Sequence, residues 1–258
     1  MKTVILCGGL GTRLKEETEF RPKPMVPIGN RPILWHIMKI YAHYGFKDFV
    51  LALGYKGDMI KEYFQHYELM NNDVTLELGK PENCIIHQNH AEVGWRITMV
   101  DTGQESLKGS RLKKMEKYID GDEFMVTYGD GVGDINIKAL LDFHHGHGKM
   151  ITITGVTPPS QFGRLSVKEN GDISFVEKPR DNSIISGGFM VFNRNIFKHL
   201  SVDADCDLES GTLERLAQEG EVRLYSHEGC WENMDTIRDM ERLNKLWNDK
   251  QAKWKIWE

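Results

Sequence analysis

The chain has 258 residues, a formal net charge of −5 and 40% hydrophobic residues. This length suits one large α/β domain or a domain with an appendage, and the composition is that of a soluble globular protein. The acidic balance argues against non-specific nucleic-acid binding, although a local basic cluster could still hold an anionic substrate. The apolar run Val4-Ile5-Leu6 is too short for a signal peptide or membrane helix, and the four scattered cysteines indicate a reduced, cytoplasmic set.

Strands and helices alternate along the chain, which predicts a Rossmann-like α/β fold: an open, mainly parallel, twisted sheet with helices on both faces. We predict strands over 2–7, 48–53, 124–128 and 150–156, and helices from Pro32 to Gly45 and over 58–66, 108–118, 137–147, 208–219 and 236–248. Short β-prone runs occur within 74–101. A strand-rich stretch at 163–192 has Asn170-Gly171 as its hairpin turn.

The most informative segment is the first 25 residues. Gly8-Gly9-Leu10-Gly11-Thr12-Arg13 directly follows the first strand, and Pro22-Lys23-Pro24-Met25 comes soon after. Glycines let backbone N–H groups approach a phosphate, and a helix N-terminus after them would favour anions. Arg13 could add a bidentate donor and Lys23 a point charge. The segment predicts a nucleoside triphosphate site, and an ordinary βα turn is the alternative for the glycines taken alone.

Two common glycine motifs do not fit this loop. Leu14 occupies the third glycine position of the dinucleotide motif G-x-G-x-x-G. A P-loop would close on Gly-Lys-Ser/Thr, whereas this loop continues Thr12-Arg13-Leu14. The loop is therefore predicted to hold phosphates in another way.

Two aspartates fall where ligands bind in open α/β sheets, outside the carboxyl ends of strands. Asp130, within Tyr128-Gly129-Asp130-Gly131, follows the predicted strand over 124–128, and Asp235 precedes the last long helix. Mg²⁺ favours carboxylate and phosphate oxygens, so the pair predicts one shared magnesium site. Taken singly, Asp130 could be a turn residue and Asp235 a helix N-cap.

Two motifs of the strand-rich stretch suit a sugar phosphate. Glu177-Lys178-Pro179 ends a predicted strand, where the carboxylate could accept from hydroxyls and the ammonium could neutralise phosphate. The pair Gly187-Gly188 inside an apolar strand suggests the close approach of a ligand or another backbone. A surface ion pair and a β-bulge are the respective alternatives.

Two other features carry no evident chemistry. His144, His145 and His147 precede Gly148 near a helix end and lack zinc-ligand spacing, so we interpret them as surface histidines. The tail Trp254-Lys255-Ile256-Trp257-Glu258 could be pinned to its own domain or could contact another copy.

Taken together, these motifs resemble the sugar nucleotidyltransferase family over nearly the whole chain. The segments that carry the resemblance are Gly-Gly-Leu-Gly-Thr-Arg, Pro-Lys-Pro-Met, Gly-Asp-Gly, Glu-Lys-Pro, Gly-Gly-Phe and Met-Asp-Thr, in that order. Segments 32–38, 100–103, 111–113 and 128–131 and the terminal Trp-Lys-x-Trp are most similar to the branch that makes CDP-glucose. The chain departs from that branch at Ser186, Asn233 and Arg164, and Ser186 and Arg164 could lie near the sugar.

The resemblance implies transfer of a cytidylyl group from CTP to α-D-glucose 1-phosphate with Mg²⁺, giving CDP-glucose for the CDP-dideoxysugars of bacterial lipopolysaccharide. It implies a single domain over 1–258, with a nucleotide-binding part over about 1–135 and a sugar-phosphate-binding part with the tail over about 136–258. A cytoplasmic homo-oligomer is implied, of which a hexamer is one form, with residues 70–100 and the tail as contacts. No nucleic acid or membrane partner is expected.

The resemblance also assigns residues to roles. The catalytic residues would be Arg13, Lys23, Asp130 and Lys178. The nucleotide would contact Leu6, Cys7, Gly8, Gly9, Leu10, Gly11, Thr12, Arg13, Lys23 and Gly129, with Glu105, Ser110 and Arg111 near its base and ribose. The sugar phosphate would contact Tyr128, Glu177, Lys178, Gly187 and Gly188, and Mg²⁺ would be held by Asp130 and Asp235.

Three alternatives stay open from the sequence. The same chemistry could use UTP, dTTP, GTP or another sugar 1-phosphate, because base choice depends on a few loop contacts. A glycosyltransferase would also bind nucleotide and metal, but the Asp-x-Asp motif common in that class is absent after Asp130. A non-catalytic nucleotide-sugar sensor would not need to keep Lys23 and both aspartates.

Overall fold

The computed structural model describes residues 1–80, 83–88, 90–158, 164–167, 172–176 and 183–258. Its strands are β1 (Lys2–Cys7), β2 (Pro27–Ile28), β3 (Arg31–Pro32), β4 (Asp48–Leu53), β5 (Asp73–Leu76), β6 (Cys84–His87), β7 (Arg96–Asp101), β8 (Glu123–Tyr128), β9 (Gly131–Gly133), β10 (Ile151–Val156), β11 (Arg164–Val167), β12 (Ile173–Val176), β13 (Ile185–Asn193), β14 (Val222–His227) and β15 (Trp231–Asn233). Its α-helices are α1 (Lys15–Thr18), α2 (Ile33–His43), α3 (Gly57–Gln65), α4 (Tyr67–Asn71), α5 (Lys108–Lys114), α6 (Ile137–His147), α7 (Glu214–Gln218) and α8 (Ile237–Asn248).

The central sheet runs in the order β14-β10-β13-β8-β1-β4-β7. β1 is parallel to β4 and β8, β4 to β7, and β10 to β14. β13 is antiparallel to both of its neighbours, β8 and β10. The mainly parallel sheet predicted from the alternation of elements is confirmed. The loops after β1 and β8 leave neighbouring strands at the same edge, which places them at the crevice where open α/β sheets bind ligands.

Helices cover both faces of this sheet, as predicted. In β1, Ile5 and Cys7 pack into the core on the side of α2, α6 and α8. Val4 and Leu6 face the opposite core, which includes residues of α5 and α7. A strand buried on both faces shows a nearly continuous apolar sequence rather than an alternating one, which explains the pattern of residues 2–7.

Several predicted elements have the bounds that the sequence indicated, among them the strands at 2–7 and 48–53 and the helix at 137–147. The helix predicted over 208–219 is wrong in its first half. Ser210 is extended (ψ 116°) and Gly211 has φ 95°, so regular helix begins only at Glu214. The predicted 108–118 helix divides into α5 and a 3₁₀ turn, Glu116–Tyr118.

The tail packs on its own chain. Trp254 is fully buried in the core, and the ring of Trp257 makes an edge contact with Trp35 at a centroid distance of 5.7 Å. Of the two interpretations of the tail, the structure therefore favours the pinned one. The surface assignment of His144 is wrong, because it is buried beside β10 with its Nδ1 2.7 Å from Thr152 Oγ1.

Other predictions are tested only in part. β11 and β12 pair as an antiparallel hairpin, but its predicted turn at Asn170-Gly171 lies outside the described residues. The division into two functional parts stays a prediction, since the seven-stranded sheet draws strands from both. All four cysteines are free. In the part of the chain that the structure describes, no helix has the length and apolarity needed to cross a bilayer.

Candidate active site

The glycine loop turns sharply as it leaves β1. Gly11 has φ +65°, and a Cβ there would lie 2.7 Å from Thr18 Cγ2, so only glycine fits without rearrangement. A 3₁₀ turn, Thr12–Leu14, and the four-residue α1 follow, where the sequence suggested a helix N-terminus. Because these elements are short, loop N–H groups and the exposed Arg13 would contact an anion, with little contribution from a helix dipole.

Arg111 holds the start of this loop through hydrogen bonds to backbone carbonyls. Its buried guanidinium donates to the carbonyls of Gly8 (2.9 Å) and Leu53 (3.2 Å), and to that of Gly103 (2.6 Å). A Cβ on Gly54 would lie 2.5 Å from Arg111 Nη1, so the guanidinium fills the space that side chains would need. Burial lowers the pKa of Arg111. The residue reaches the cleft wall, but its hydrogen bonds go to protein carbonyls and to the Thr102 hydroxyl.

Four charged side chains meet beside the loop. Lys23 Nζ lies 2.7 Å from Asp130 Oδ2 and 2.5 Å from Asp235 Oδ1. Arg13 Nη2 lies 2.9 Å from the same oxygen of Asp235. Every predicted catalytic or metal-binding residue in the described part of the chain therefore belongs to one cluster.

Two short strands bring the aspartates together. β9 follows Asp130, β15 precedes Asp235, and the two strands pair antiparallel. The Met234 N–H also donates to the Asp130 carbonyl at 2.9 Å. Asp235 does not cap α8, because Thr236 is the N-cap and forms a capping box with Asp239. The carboxylate of Asp235 is thereby directed to Lys23 instead.

The environment keeps Lys23 charged. Burial lowers its pKa, but the charge of Asp130 and the hydrogen bonds to Asp130 and Asp235 outweigh burial, so the pKa is raised. An ammonium enclosed in this way is a fixed positive charge at neutral pH.

The two aspartates also suit a magnesium ion. Both carboxylates reach one point, now taken by the Lys23 ammonium, so they are close enough to share a divalent cation. Carboxylate oxygens are ligands that Mg²⁺ favours. No group of three or more His, Cys, Asp or Glu residues that could hold a metal occurs among the described residues. Mg²⁺ usually keeps several waters and takes one or two carboxylates, so two aspartates are a sufficient protein contribution.

A cleft of about 570 Å³ opens over this cluster. The predicted residues that line it are Leu6, Cys7, Gly8, Gly9, Gly11, Thr12, Arg13, Lys23, Arg111, Tyr128, Gly129, Asp130 and Asp235. Within the described residues, the lining does not include Leu10, Glu105, Ser110, Gly187 or Gly188. The Ser110 hydroxyl donates to the Val202 carbonyl at 2.9 Å, away from the cleft, and Glu105 is exposed. Glu177 and Lys178 lie outside the described residues.

The glycine pair of β13 forms a bulge. The register against β10 shifts between Ile153 and Gly155, opposite Gly187 and Gly188. Gly188 has φ +79°, and a Cβ there would lie 2.6 Å from Tyr128 Cδ2. The bulge interpretation is therefore right. The absence of a side chain at Gly188 also leaves room for the Tyr128 ring to pack against the bulge.

Several lining residues escaped the sequence analysis: Ser106, Leu107, Lys108, Ile185 and Trp231. Trp231 lies four residues before Asp235, and that proximity is the sequence signal that could have found it. In the structure, its ring N–H donates to the Gly187 carbonyl at 2.8 Å. Lys108 has no local signal, since it is one of four basic residues in α5. Ser186, noted only as a departure, also lines the cleft.

Comparison with known proteins gives concordant matches. Residues 2–250 match the family described as nucleotidyl transferase. The chain is 48% identical over 260 residues to the glucose-1-phosphate cytidylyltransferase of Salmonella typhimurium, covering 100% of each chain. It is 43% identical over 257 residues to the probable glucose-1-phosphate cytidylyltransferase of Bacillus subtilis, again covering 100% of each. The crystal structure of HddC from Yersinia pseudotuberculosis shares the fold, with a TM-score of 0.70 at 22% identity over 95% of this chain and 99% of that one.

Proposed function

This chain belongs to the nucleotidyl transferase family, and on that premise we propose that it transfers a cytidylyl group from CTP to α-D-glucose 1-phosphate. Membership confirms the family resemblance drawn from the motifs. The products would be CDP-glucose and pyrophosphate. The observation that carries the proposal is the cluster of Arg13, Lys23, Asp130 and Asp235 under the cleft beside the glycine loop.

The reaction would be an in-line displacement at the α-phosphorus of CTP. An oxygen of the sugar phosphate forms the new bond to that phosphorus, and the bond to the oxygen bridging to the β-phosphate breaks. Pyrophosphate leaves with that bridging oxygen. A sugar phosphate is already anionic near pH 7, so no side chain has to remove a proton. Catalysis would come from alignment and charge neutralisation.

The side chains of the cluster supply those effects. Lys23, kept charged by its two aspartates, would stabilise the negative charge on the α-phosphate. The Arg13 side chain is exposed and could turn toward the departing phosphates. Its planar guanidinium can bind a phosphate with two parallel hydrogen bonds. By resemblance, Lys178 would neutralise the incoming sugar phosphate and Glu177 would accept from sugar hydroxyls. Backbone N–H groups of the Gly8–Gly11 loop would hold the nucleotide phosphates.

Asp130 and Asp235 are the residues that would hold Mg²⁺. When bound, the ion supplies further positive charge at the phosphates. Lys23 makes one hydrogen bond to each aspartate. It could therefore give up one of them for a hydrogen bond to a phosphate oxygen and still keep the other. Asn233 Nδ2 donates to Asp235 Oδ2 at 2.5 Å and would keep that carboxylate oriented during the exchange.

Association between copies and cellular location complete the proposal. The hairpin of β5 and β6 exposes Val74, Leu76 and Ile86 on one face, an apolar surface that suits contact with another copy. A cytoplasmic homo-oligomer, which could be a hexamer, would use this hairpin, and the product would supply CDP-dideoxysugar synthesis. Sedimentation of the purified chain measures the assembly, and a monomer at micromolar concentration would contradict it.

The proposed function is tested by pyrophosphate release with Mg²⁺ and glucose 1-phosphate, in parallel reactions with CTP, UTP, dTTP, GTP and ATP. Release with CTP alone is expected. Release with another triphosphate would overturn the choice of base and keep the mechanism. Since Ser186 lines the cleft, galactose and mannose 1-phosphates belong in the same series. Absence of release in all of these reactions would contradict the proposal and favour a binding protein.

A further inference from the structure

A polar cluster at the rim of the cleft has no part in the proposed mechanism. The Tyr128 hydroxyl donates to Glu209 Oε1 at 2.6 Å, and Lys108 Nζ donates to the same oxygen at 2.5 Å. Lys108 Nζ also lies 5.2 Å from the centroid of the Tyr128 ring, within range of a cation–π contact. Tyr128 and Lys108 line the cleft, whereas Glu209 is not among the lining residues. Glu209 thus touches two cleft residues without facing the cleft.

The local backbone explains how Glu209 is held in place. Asp207 caps the segment, with its Oδ1 accepting from the Leu208 N–H at 2.9 Å and its Oδ2 from the Ser210 N–H at 3.2 Å. The break at Ser210 and Gly211 then ends this turn before α7. The side chain of Glu209 is about one-third exposed (34%), so solvent partly screens its charge. Its position is fixed by the capped backbone and by the hydrogen bonds from Tyr128 and Lys108.

Tyr128 is in turn enclosed by its contacts. Gly188 lets the ring lie against the β13 bulge, where a Cβ would be 2.6 Å from the ring. The hydroxyl is fixed by Glu209, and Lys108 lies over the ring. Tyr128 also ends β8, two residues before Asp130. The ring therefore forms the wall between the Gly188 bulge and the charged cluster.

We propose that Glu209 is a positioning residue for the sugar 1-phosphate: by holding Tyr128 and Lys108, it sets the shape of the wall against which the sugar lies. The inference rests on the proposed function, with the sugar phosphate lying beside Tyr128 as the family resemblance implies. Loss of the carboxylate leaves the phenol without its acceptor and Lys108 without its counter-ion. The wall then loses its fixed geometry on the sugar side, while the glycine loop, held by Arg111, keeps the nucleotide.

The test compares Glu209→Ala, Glu209→Gln and Glu214→Gln with the unchanged chain. Glu209→Ala is expected to raise KM for glucose 1-phosphate about tenfold, the effect of one lost hydrogen bond to a charged group, with less than a twofold change in KM for CTP. Glu209→Gln keeps a neutral acceptor and should recover part of the loss. Glu214→Gln removes an exposed carboxylate of the same segment and should leave both KM values unchanged.

Coupling to Tyr128 gives a second readout. In a Tyr128→Phe background, the additional effect of Glu209→Ala on KM for the sugar should shrink, because the hydrogen bond is already absent. An equal rise in both KM values, or a lower melting temperature with unchanged KM values, would show a merely structural role and overturn the inference. No turnover by the unchanged chain would overturn the proposed function, and this inference with it.

Discussion

At the scale of single residues, charge balance decides what the cleft can bind. Two cations and two carboxylates meet there, so the cluster is close to neutral before any ligand arrives. A nucleoside triphosphate and a sugar phosphate bring several negative charges, which Arg13 and Lys23 alone would not balance. A divalent ion on Asp130 and Asp235 would add two positive charges toward that balance.

Asp130→Asn is expected to lower kcat by at least ~100-fold, because it keeps the shape of the side chain but removes a metal-binding charge. The variant should fold normally, since Asn can still accept from Lys23. The matched control is Asp120→Asn, an exposed carboxylate paired with Lys2 at the opposite end of β1 from the glycine loop. Steady-state kinetics at saturating Mg²⁺ provides the measurement, and near-normal turnover would remove Asp130 from the metal site.

Lys23→Met should have opposite effects on turnover and on metal binding. Turnover should be largely lost, because the variant lacks the ammonium that would stabilise negative charge on the α-phosphate. Binding of Mn²⁺ without nucleotide should tighten about tenfold, because no ammonium then competes for the two carboxylates. Titration followed by electron paramagnetic resonance measures the metal affinity directly, with Lys15→Met as an exposed control. Equal or weaker Mn²⁺ binding by Lys23→Met would show that the carboxylates do not form the site.

At the scale of elements, packing of the C-terminal tail contributes to the stability of the fold. Trp254→Ala should lower the free energy of unfolding by ~3–5 kcal/mol, because it leaves a large cavity beside α2 and α8. Trp257→Ala, at a half-buried position, should cost less. Urea denaturation measures both. If the tail acted mainly as a contact between copies, Trp254→Ala would change the sedimentation coefficient and leave the unfolding free energy of the chain nearly unchanged.

The sequence predicted elements well wherever local patterns are strong. β1 and β4 are short apolar runs with polar flanks, and α6 is capped by Asn136, whose side chain accepts from the Ala139 N–H. The reversed direction of β13 was out of reach, because strand direction depends on the path of the chain through space. The break at Ser210 and Gly211 was missed because the surrounding residues favour helix.

The candidate site was predictable to a similar degree. Lys23, Asp130 and Asp235 carry local motifs, and their positions at the ends of elements suggested one site. Glu209 carries no motif, and it meets Tyr128 across 81 positions of the chain. Arg111 was assigned to the base by resemblance, while the structure directs its hydrogen bonds to the loop carbonyls. Such contacts between distant segments are fixed by tertiary packing, which local patterns do not encode.

At the scale of the whole molecule, two buried histidines make stability depend on pH. Burial lowers the pKa of His36 and of His144 from 6.5 to about 4. The unfolded chain takes up these protons near pH 6.5, whereas the folded chain resists them until about pH 4. The stabilisation is therefore complete above pH 6.5 and is lost as the pH falls toward 4, by about 3 kcal/mol for His36 alone.

Urea unfolding at pH 7, 6 and 5 measures this dependence. The free energy of unfolding should fall over the series, and His36→Gln, which can still donate to the Ile28 carbonyl, should show a shallower fall. A curve that is flat between pH 7 and 5, or one with the same slope in the variant, would contradict a buried neutral His36.

In the proposed reaction, the sheet would bring the β1 and β8 loops and Asp235 around the α-phosphorus of CTP, and the path of an isotope label tests that reaction directly. Glucose 1-phosphate with ¹⁸O in its non-bridging phosphate oxygens is incubated with CTP and Mg²⁺, and the products are examined by ³¹P NMR. Attack by the sugar phosphate on the α-phosphorus predicts that all the label appears in CDP-glucose, including the bridge between its phosphates, and that the pyrophosphate is unlabelled. Label in released phosphate would show cleavage of the bond between the sugar and its phosphate, and would contradict nucleotidyl transfer at this site.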